Sequence, residues 1–100
     1  MSECPITKAW KILGKPWRLV IIDRLLSGSK SFNELLWSMK GISSRTLSKA
    51  LRELCKEELV KVEEKKKRKI YSLTEKGREL TIVVKDIRDW SEKWLFKSQE

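Results

Sequence analysis

SFNELLWSMKGISSRTLSKALRELCKEELV, residues 31–60, reads as two helices joined by a tight turn. Ser31 and Glu34 have the spacing of a capping box, in which a hydroxyl and a carboxylate each satisfy a free backbone N–H. A helix is therefore predicted to start at Phe32. Phe32, Leu35, Leu36 and Met39 recur at the spacing of one helical face. Lys40-Gly41 breaks the pattern, because glycine adopts the left-handed backbone that closes a helix at no steric cost. Ser43 is the next N-cap, and Ile42 before it pairs with Leu47 after it as a hydrophobic staple. The second helix buries Leu47, Ala50, Leu51 and Leu54, while Arg45, Lys49, Arg52 and Lys56 line its other face, flanked by Ser44 and Ser48. An apolar inner stripe under a basic, hydroxyl-bearing outer stripe suits a helix lying in a DNA major groove. A merely solvated surface helix is the alternative, and the surrounding chain has to decide between them.

Lys and Arg number 23 against 14 acidic residues in 100, a net charge of +9. That excess points to a polyanionic partner, nucleic acid or an anionic membrane. The length fits a single domain, residues 1–100, with one core and no room for a second ligand-binding domain. Its longest unbroken aliphatic run, Leu19 to Ile22, is far too short to span a bilayer, and MSECPITK lacks the apolar region of a signal peptide. Cys4 and Cys55 are distant and form no CxxC motif, which predicts reduced thiols and a cytoplasmic protein. The absence of histidine, the single Asn33 and Gln99, and the abundance of Lys and Glu lean towards a thermophilic source.

Outward from the central stretch, Pro5 suits the first turn of a helix whose Ile6, Trp10 and Leu13 share a face and which Gly14 ends. From Trp17 to Leu26, residues Leu19, Val20, Ile21, Ile22, Leu25 and Leu26 cover most of a helix circumference, so this helix should be central and buried. Ser27-Gly28 stops it, and a short polar link follows. After Leu59 the period changes to two: Val60 and Val62 alternate with Lys61 and Glu63, and Lys69 to Leu73 is a second β-rich run. Between them lies Glu64-Lys65-Lys66-Lys67-Arg68. With no Asn-Gly or Gly-Gly pair, a longer loop is expected there in place of a two-residue turn.

A hairpin with a cationic tip, directly after a helix-turn-helix, is the wing of a winged helix, its tip set beside phosphates or in a minor groove. A lysine-rich loop that merely solubilises a hairpin edge is the alternative. Thr74 caps the last helix, with Glu75 in its positive first turn. Leu80, Val83, Val84, Ile87, Trp90 and Trp94 then follow helical spacing, and Ile82 and Phe96 fall off the stripe. So long a stripe reads as a dimer seam shared with Trp10 of the first helix; folding back on its own domain is the alternative.

The chemistry of an enzyme is missing. No histidine serves a triad or binds zinc, no glycine-rich loop cradles phosphate, and Glu57-Glu58 and Glu63-Glu64 are adjacent solvated pairs, not a catalytic dyad. Neither a cofactor nor a metal is expected.

The order helix, helix, helix-turn-helix, wing, helix resembles the HxlR-type branch of the MarR-like winged-helix transcriptional regulators. The matching residues are Cys4-Pro5, Gly14-Lys15-Pro16-Trp17, Phe32-Asn33-Glu34-Leu35, Gly41-Ile42-Ser43, Leu51-Arg52-Glu53-Leu54 and Tyr71-Ser72-Leu73-Thr74-Glu75-Lys76-Gly77. The resemblance implies a homodimeric DNA-binding regulator whose terminal helices make the dimer. The chain departs from that pattern at the wing, where Lys65 to Arg68 replace a longer, proline-bearing form, at Leu36 and Trp37, where basic residues are usual, and at Glu58, where glycine is usual. Several members of the family sense oxidants or electrophiles through a cysteine just before the first helix, and Cys4 matches that position. A helix N-terminus favours thiolate, and Lys8 would add to the effect. Cys4 as a small apolar filler is the alternative, and Cys55, beside the buried Leu54, looks structural.

The fold class expected is α+β, mainly α: a winged helix-turn-helix with a two-stranded β-wing and terminal helices forming a dimer interface. The helix-turn-helix spans 31–57, the wing 59–73 and the dimerisation helices 5–13 and 75–97. DNA contacts are expected from Ser44, Arg45, Ser48, Lys49 and Arg52, with Arg45 and Lys49 at base edges, and from Lys65, Lys66, Lys67 and Arg68 at phosphates. The dimer seam is expected to hold Trp10, Val83, Ile87, Trp90 and Trp94. The partners read from the sequence are double-stranded DNA and a second copy of the chain, with no membrane; the operator and any small-molecule or oxidant inducer stay open. A non-specific architectural DNA-coating protein and a winged helix used for protein–protein contact are the rival functions.

Overall fold

A computed structural model describes residues 3–96. In chain order the elements are α1 (Pro5–Leu13), α2 (Arg18–Leu25), β1 (Lys30–Ser31), α3 (Phe32–Ser38), α4 (Ser44–Lys56), β2 (Val60–Lys65), β3 (Arg68–Leu73), α5 (Glu75–Arg78) and α6 (Thr81–Leu95). This is the winged helix-turn-helix expected, mainly helical with a small antiparallel sheet.

Both predicted caps are present. Glu34 N–H donates to Ser31 Oγ at 3.2 Å and Ser31 N–H donates to Glu34 Oε1 at 2.8 Å. The Ser31 N–H, as the largest cause, and the Ser31 hydroxyl hold the Glu34 carboxyl below its ordinary range. Thr46 N–H donates to Ser43 Oγ at 3.1 Å, and Gly41 in the turn between the helices has φ +96°. The buried residues of α4 are Leu47, Ala50, Leu51 and Leu54, as the periodicity requires. They meet Ile21, Ile22 and Leu25 of α2, Leu35 of α3, Leu59 just before β2, and Val60, Tyr71 and Leu73 from the sheet. Truncating a buried leucine of this kind costs about 2–5 kcal/mol, so α4 is held firmly against its neighbours.

The sheet is larger than a two-stranded wing. Its order is β1-β3-β2, with Lys30 opposite Tyr71 and Ser31 opposite Ile70, so the polar link before the helix-turn-helix contributes a strand of two residues. Backbone pairing formed this strand, and two residues are too few to show a period of two.

The wing tip corrects a second expectation. Register runs from Val60 opposite Leu73 to Lys65 opposite Arg68, leaving only Lys66 and Lys67 to turn the chain. Their φ values are +51° and +65°, the backbone of a type I′ turn, so the hairpin closes in two residues without the usual Asn-Gly. Glu58, standing where the resemblance expects glycine, also has a positive φ of 64°.

The predicted C-terminal helix of 75–97 divides in two. Thr74 Oγ1 accepts the Gly77 N–H at 3.0 Å and donates to Glu58 O at 2.7 Å, fastening α5 to the start of β2. Gly77 lies so close to Leu59 that a Cβ there would sit 2.3 Å from the Leu59 carbonyl oxygen. The chain turns at Glu79-Leu80 and restarts as α6. Within the predicted stripe, Val84 is buried and Leu80 partly buried on the domain itself, while Val83, Ile87, Trp90 and Trp94 remain exposed. Residue 97 and the rest of the span 97–100, like residues 1 and 2, lie outside the described residues. Among the described residues no helix is long and apolar enough to cross a membrane.

Candidate nucleic-acid interface

With its apolar stripe fixed in the core, α4 must turn the opposite stripe outward. Ser44, Arg45, Ser48, Lys49 and Arg52 are all exposed. Among the described residues none of Arg45, Lys49 and Arg52 enters an ion pair, so their charge is not consumed inside the fold. Ser48 and Arg52 share a cleft with Lys69 and Tyr71 of β3, which places the wing along that flank of the helix. On the other flank, Arg45, Thr46, Lys49 and Glu53 face the turn between α1 and α2.

Lys65, Lys66, Lys67 and Arg68 are exposed at the hairpin end. Lys65 lies 3.7 Å from Glu63, both groups largely in solvent, a pair worth little after screening. Lys67 and Arg68 border the first residues of α3. The structure therefore gathers the predicted cations of α4 and the wing on neighbouring elements, and it adds Lys69 and Lys15 to them. The sequence gives neither a DNA role: Lys69 belongs to the β-rich run, and Lys15 to the Gly14-Lys15-Pro16-Trp17 segment that carries the resemblance.

The second predicted group is apolar. Trp10 is 60% exposed, Ile87 48%, Trp90 58% and Trp94 53%, and Val83 is also exposed. Ile6 on α1 and Ile82, Leu95 and Phe96 towards the other end of the chain are exposed as well. Trp37 on α3 is exposed too, and nothing in the structure explains it.

Cys4 is the N-cap of α1 and exposed. Its thiol is held below the ordinary range by the Thr7 N–H and hydroxyl and by the Ile6 N–H, although no capping hydrogen bond of ordinary geometry closes onto the sulfur. These groups, and not Lys8, are responsible. Burial raises the Cys55 thiol, in keeping with a structural role. Among the described residues no cluster of His, Cys, Asp and Glu has the makings of a metal site.

The family model described as HxlR-like helix-turn-helix matches residues 12–99. The HTH-type transcriptional regulator YvaP of Bacillus subtilis is 38% identical over 96 residues, 92% of this chain and 89% of its own length. The reduced form of the transcriptional regulator YodB from Bacillus subtilis superposes with a TM-score of 0.79 at 33% identity, over 93% of this chain and 95% of that one. The redox regulator HypR in its oxidised form gives a TM-score of 0.84 at 31% identity, over 90% of this chain and 96% of its own.

Proposed function

The chain belongs to the HxlR-like helix-turn-helix family of transcriptional regulators, which are not enzymes, and we propose that it acts as a homodimer on duplex DNA and answers to the state of Cys4. The observation that carries the DNA reading is α4: three exposed cations that enter no ion pair among the described residues, on a helix whose inner face is locked into the core, beside a cationic hairpin. In this reading the N-terminal half of α4 enters the major groove. Arg45 and Lys49 reach base edges, and Lys65 to Arg68 neutralise phosphates. Two copies joined through α1 and α6 present two such helices to half-sites one helical turn apart.

Cys4 supports the responsive part. A thiol with a lowered pKa at an exposed helix N-terminus is a better nucleophile at neutral pH than an ordinary cysteine. It begins the helix that carries Trp10, so modification there bears directly on the proposed seam. The redox regulator HypR, and the transcriptional regulator YodB with its reduced, quinone-bound and diamide-treated forms, favour the same reading.

A salt titration of variants on a selected operator and on its scrambled sequence separates the roles. Arg45→Ala should weaken the operator much more than the scrambled duplex, since a bidentate Arg–guanine pair is worth about 1–3 kcal/mol. Lys66→Ala with Lys67→Ala should weaken both alike and flatten the log–log salt slope by about 0.9 for each phosphate no longer neutralised. Equal weakening on both duplexes for Arg45→Ala would move the reading to an architectural DNA-coating protein.

A further inference from the structure

The turn between α1 and α2 forms a cleft with the flank of α4 that faces away from the wing, about 360 Å³ in volume. Its lining includes Lys15, Arg18, Arg45, Thr46, Lys49 and Glu53, four cations against one carboxylate. The carboxylate is already engaged. Arg18, only 3% exposed, donates from one terminal nitrogen to Glu53 Oε1 at 2.7 Å and from the other to the Ile12 carbonyl at 2.6 Å. This pair forms the floor of the cleft. Lys15, Arg45 and Lys49 are exposed above it, and among the described residues none of the three has an ion-pair partner.

The position of the cleft gives these charges a use. Along α4, Ser48 and Arg52 border the wing, whereas Arg45, Lys49 and Glu53 border Lys15. The major groove is about 12 Å wide and a helix with its side chains about 10–12 Å across, so a helix lying in it has one phosphate chain on each side. The wing serves one chain. We propose that Lys15 binds a phosphodiester of the other, extending the DNA interface to the α1–α2 turn. This rests on the DNA reading above and assigns it a residue on the opposite side of the recognition helix.

Local structure suits Lys15 to the task. The ring of Pro16 fixes its φ, Arg18 N–H donates to the Lys15 carbonyl at 3.3 Å, and Trp17 adopts a left-handed φ of 73°. The turn is preorganised, so holding a phosphate orders mainly the lysine side chain.

The test is fluorescence anisotropy of a random-sequence duplex across a KCl series, with the full chain as wild type, Lys15→Ala, Lys15→Arg and the Lys66→Ala, Lys67→Ala pair. Lys15→Ala should lower the log–log slope by about 0.9 for each protomer whose phosphate is left unneutralised, and Lys15→Arg should restore it. An unchanged slope in Lys15→Ala, with a flattened slope in the wing variant, overturns the cleft and leaves the DNA reading intact. Wild type that fails to bind duplex at low salt overturns both. Calorimetric titration with inorganic phosphate at constant ionic strength separates the sources: no saturable heat is expected. Saturable heat that disappears in Lys15→Ala would make the cleft a free-anion site and overturn its assignment to the duplex.

Discussion

Glu58 holds φ +64° at the exit from α4, a conformation in which a side chain crowds the following carbonyl. The resemblance expects glycine there, and the backbone now supplies the reason for that preference. Glu58→Gly relieves the crowding but gives the unfolded chain more freedom, so a net gain of about 0.5–1 kcal/mol is expected. A higher midpoint of urea unfolding at constant m-value would register it, and a lower one would contradict the strain. Cys4 permits a second residue-level test. Its thiol is shifted down and that of Cys55 up, so the thiolate form of Cys4 persists to lower pH. Alkylation of the native protein should be faster at Cys4 than at Cys55 at neutral pH, with a midpoint at lower pH in its rate profile. Equal rates or protection of Cys4 would count against a sensing role. Both cysteines are visible in the sequence; that Thr7, not Lys8, tunes Cys4 needs the folded geometry.

Among elements, legibility follows the range of the forces involved. The caps of α3 and α4 and the four buried residues of α4 depend on side chains within a turn or two of one another, and these are readable at Ser31, Glu34, Ser43 and Leu47 to Leu54. The features hidden from the sequence depend on partners distant along the chain. β1 exists because Tyr71 and Ile70 present a free edge, and the tip closes on Lys66-Lys67 because strand pairing runs fully to Lys65 and Arg68. The seat of α5 lies against Leu59, whose carbonyl oxygen leaves no room for a Cβ at Gly77. Gly77→Ala should therefore cost about 1–3 kcal/mol, the usual penalty of overpacking, measurable as a lower urea midpoint. A neutral result would mean that α5 shifts freely and does not set the direction of α6. The place of Lys15 beside α4 is hidden for the same reason, since its cationic neighbours in the fold, Arg45 and Lys49, come from a helix far along the chain.

At the scale of the molecule, the chain does not close its own surface. Its radius of gyration is 14.8 Å, against about 13 Å for a compact domain of this length, and its extents are 47 × 45 × 23 Å. Apolar side chains of α1 and α6 face outward on this slab. On the proposed reading a second copy covers them, with the tryptophans as anchors worth about 2 kcal/mol or more each. Trp90→Asp should yield a monomer in sedimentation equilibrium and weaken DNA binding. Wild type already monomeric at micromolar concentration would contradict the seam.

On the same reading, two copies of α4 held by one dimer recognise a DNA sequence together. Selection of bound duplexes from a random library is the sharpest test of that cooperation. The expected product is an enriched inverted repeat whose half-sites lie about one helical turn apart, on one face of the duplex. Strong binding with no enriched sequence, or no binding of duplex at physiological salt, would contradict it.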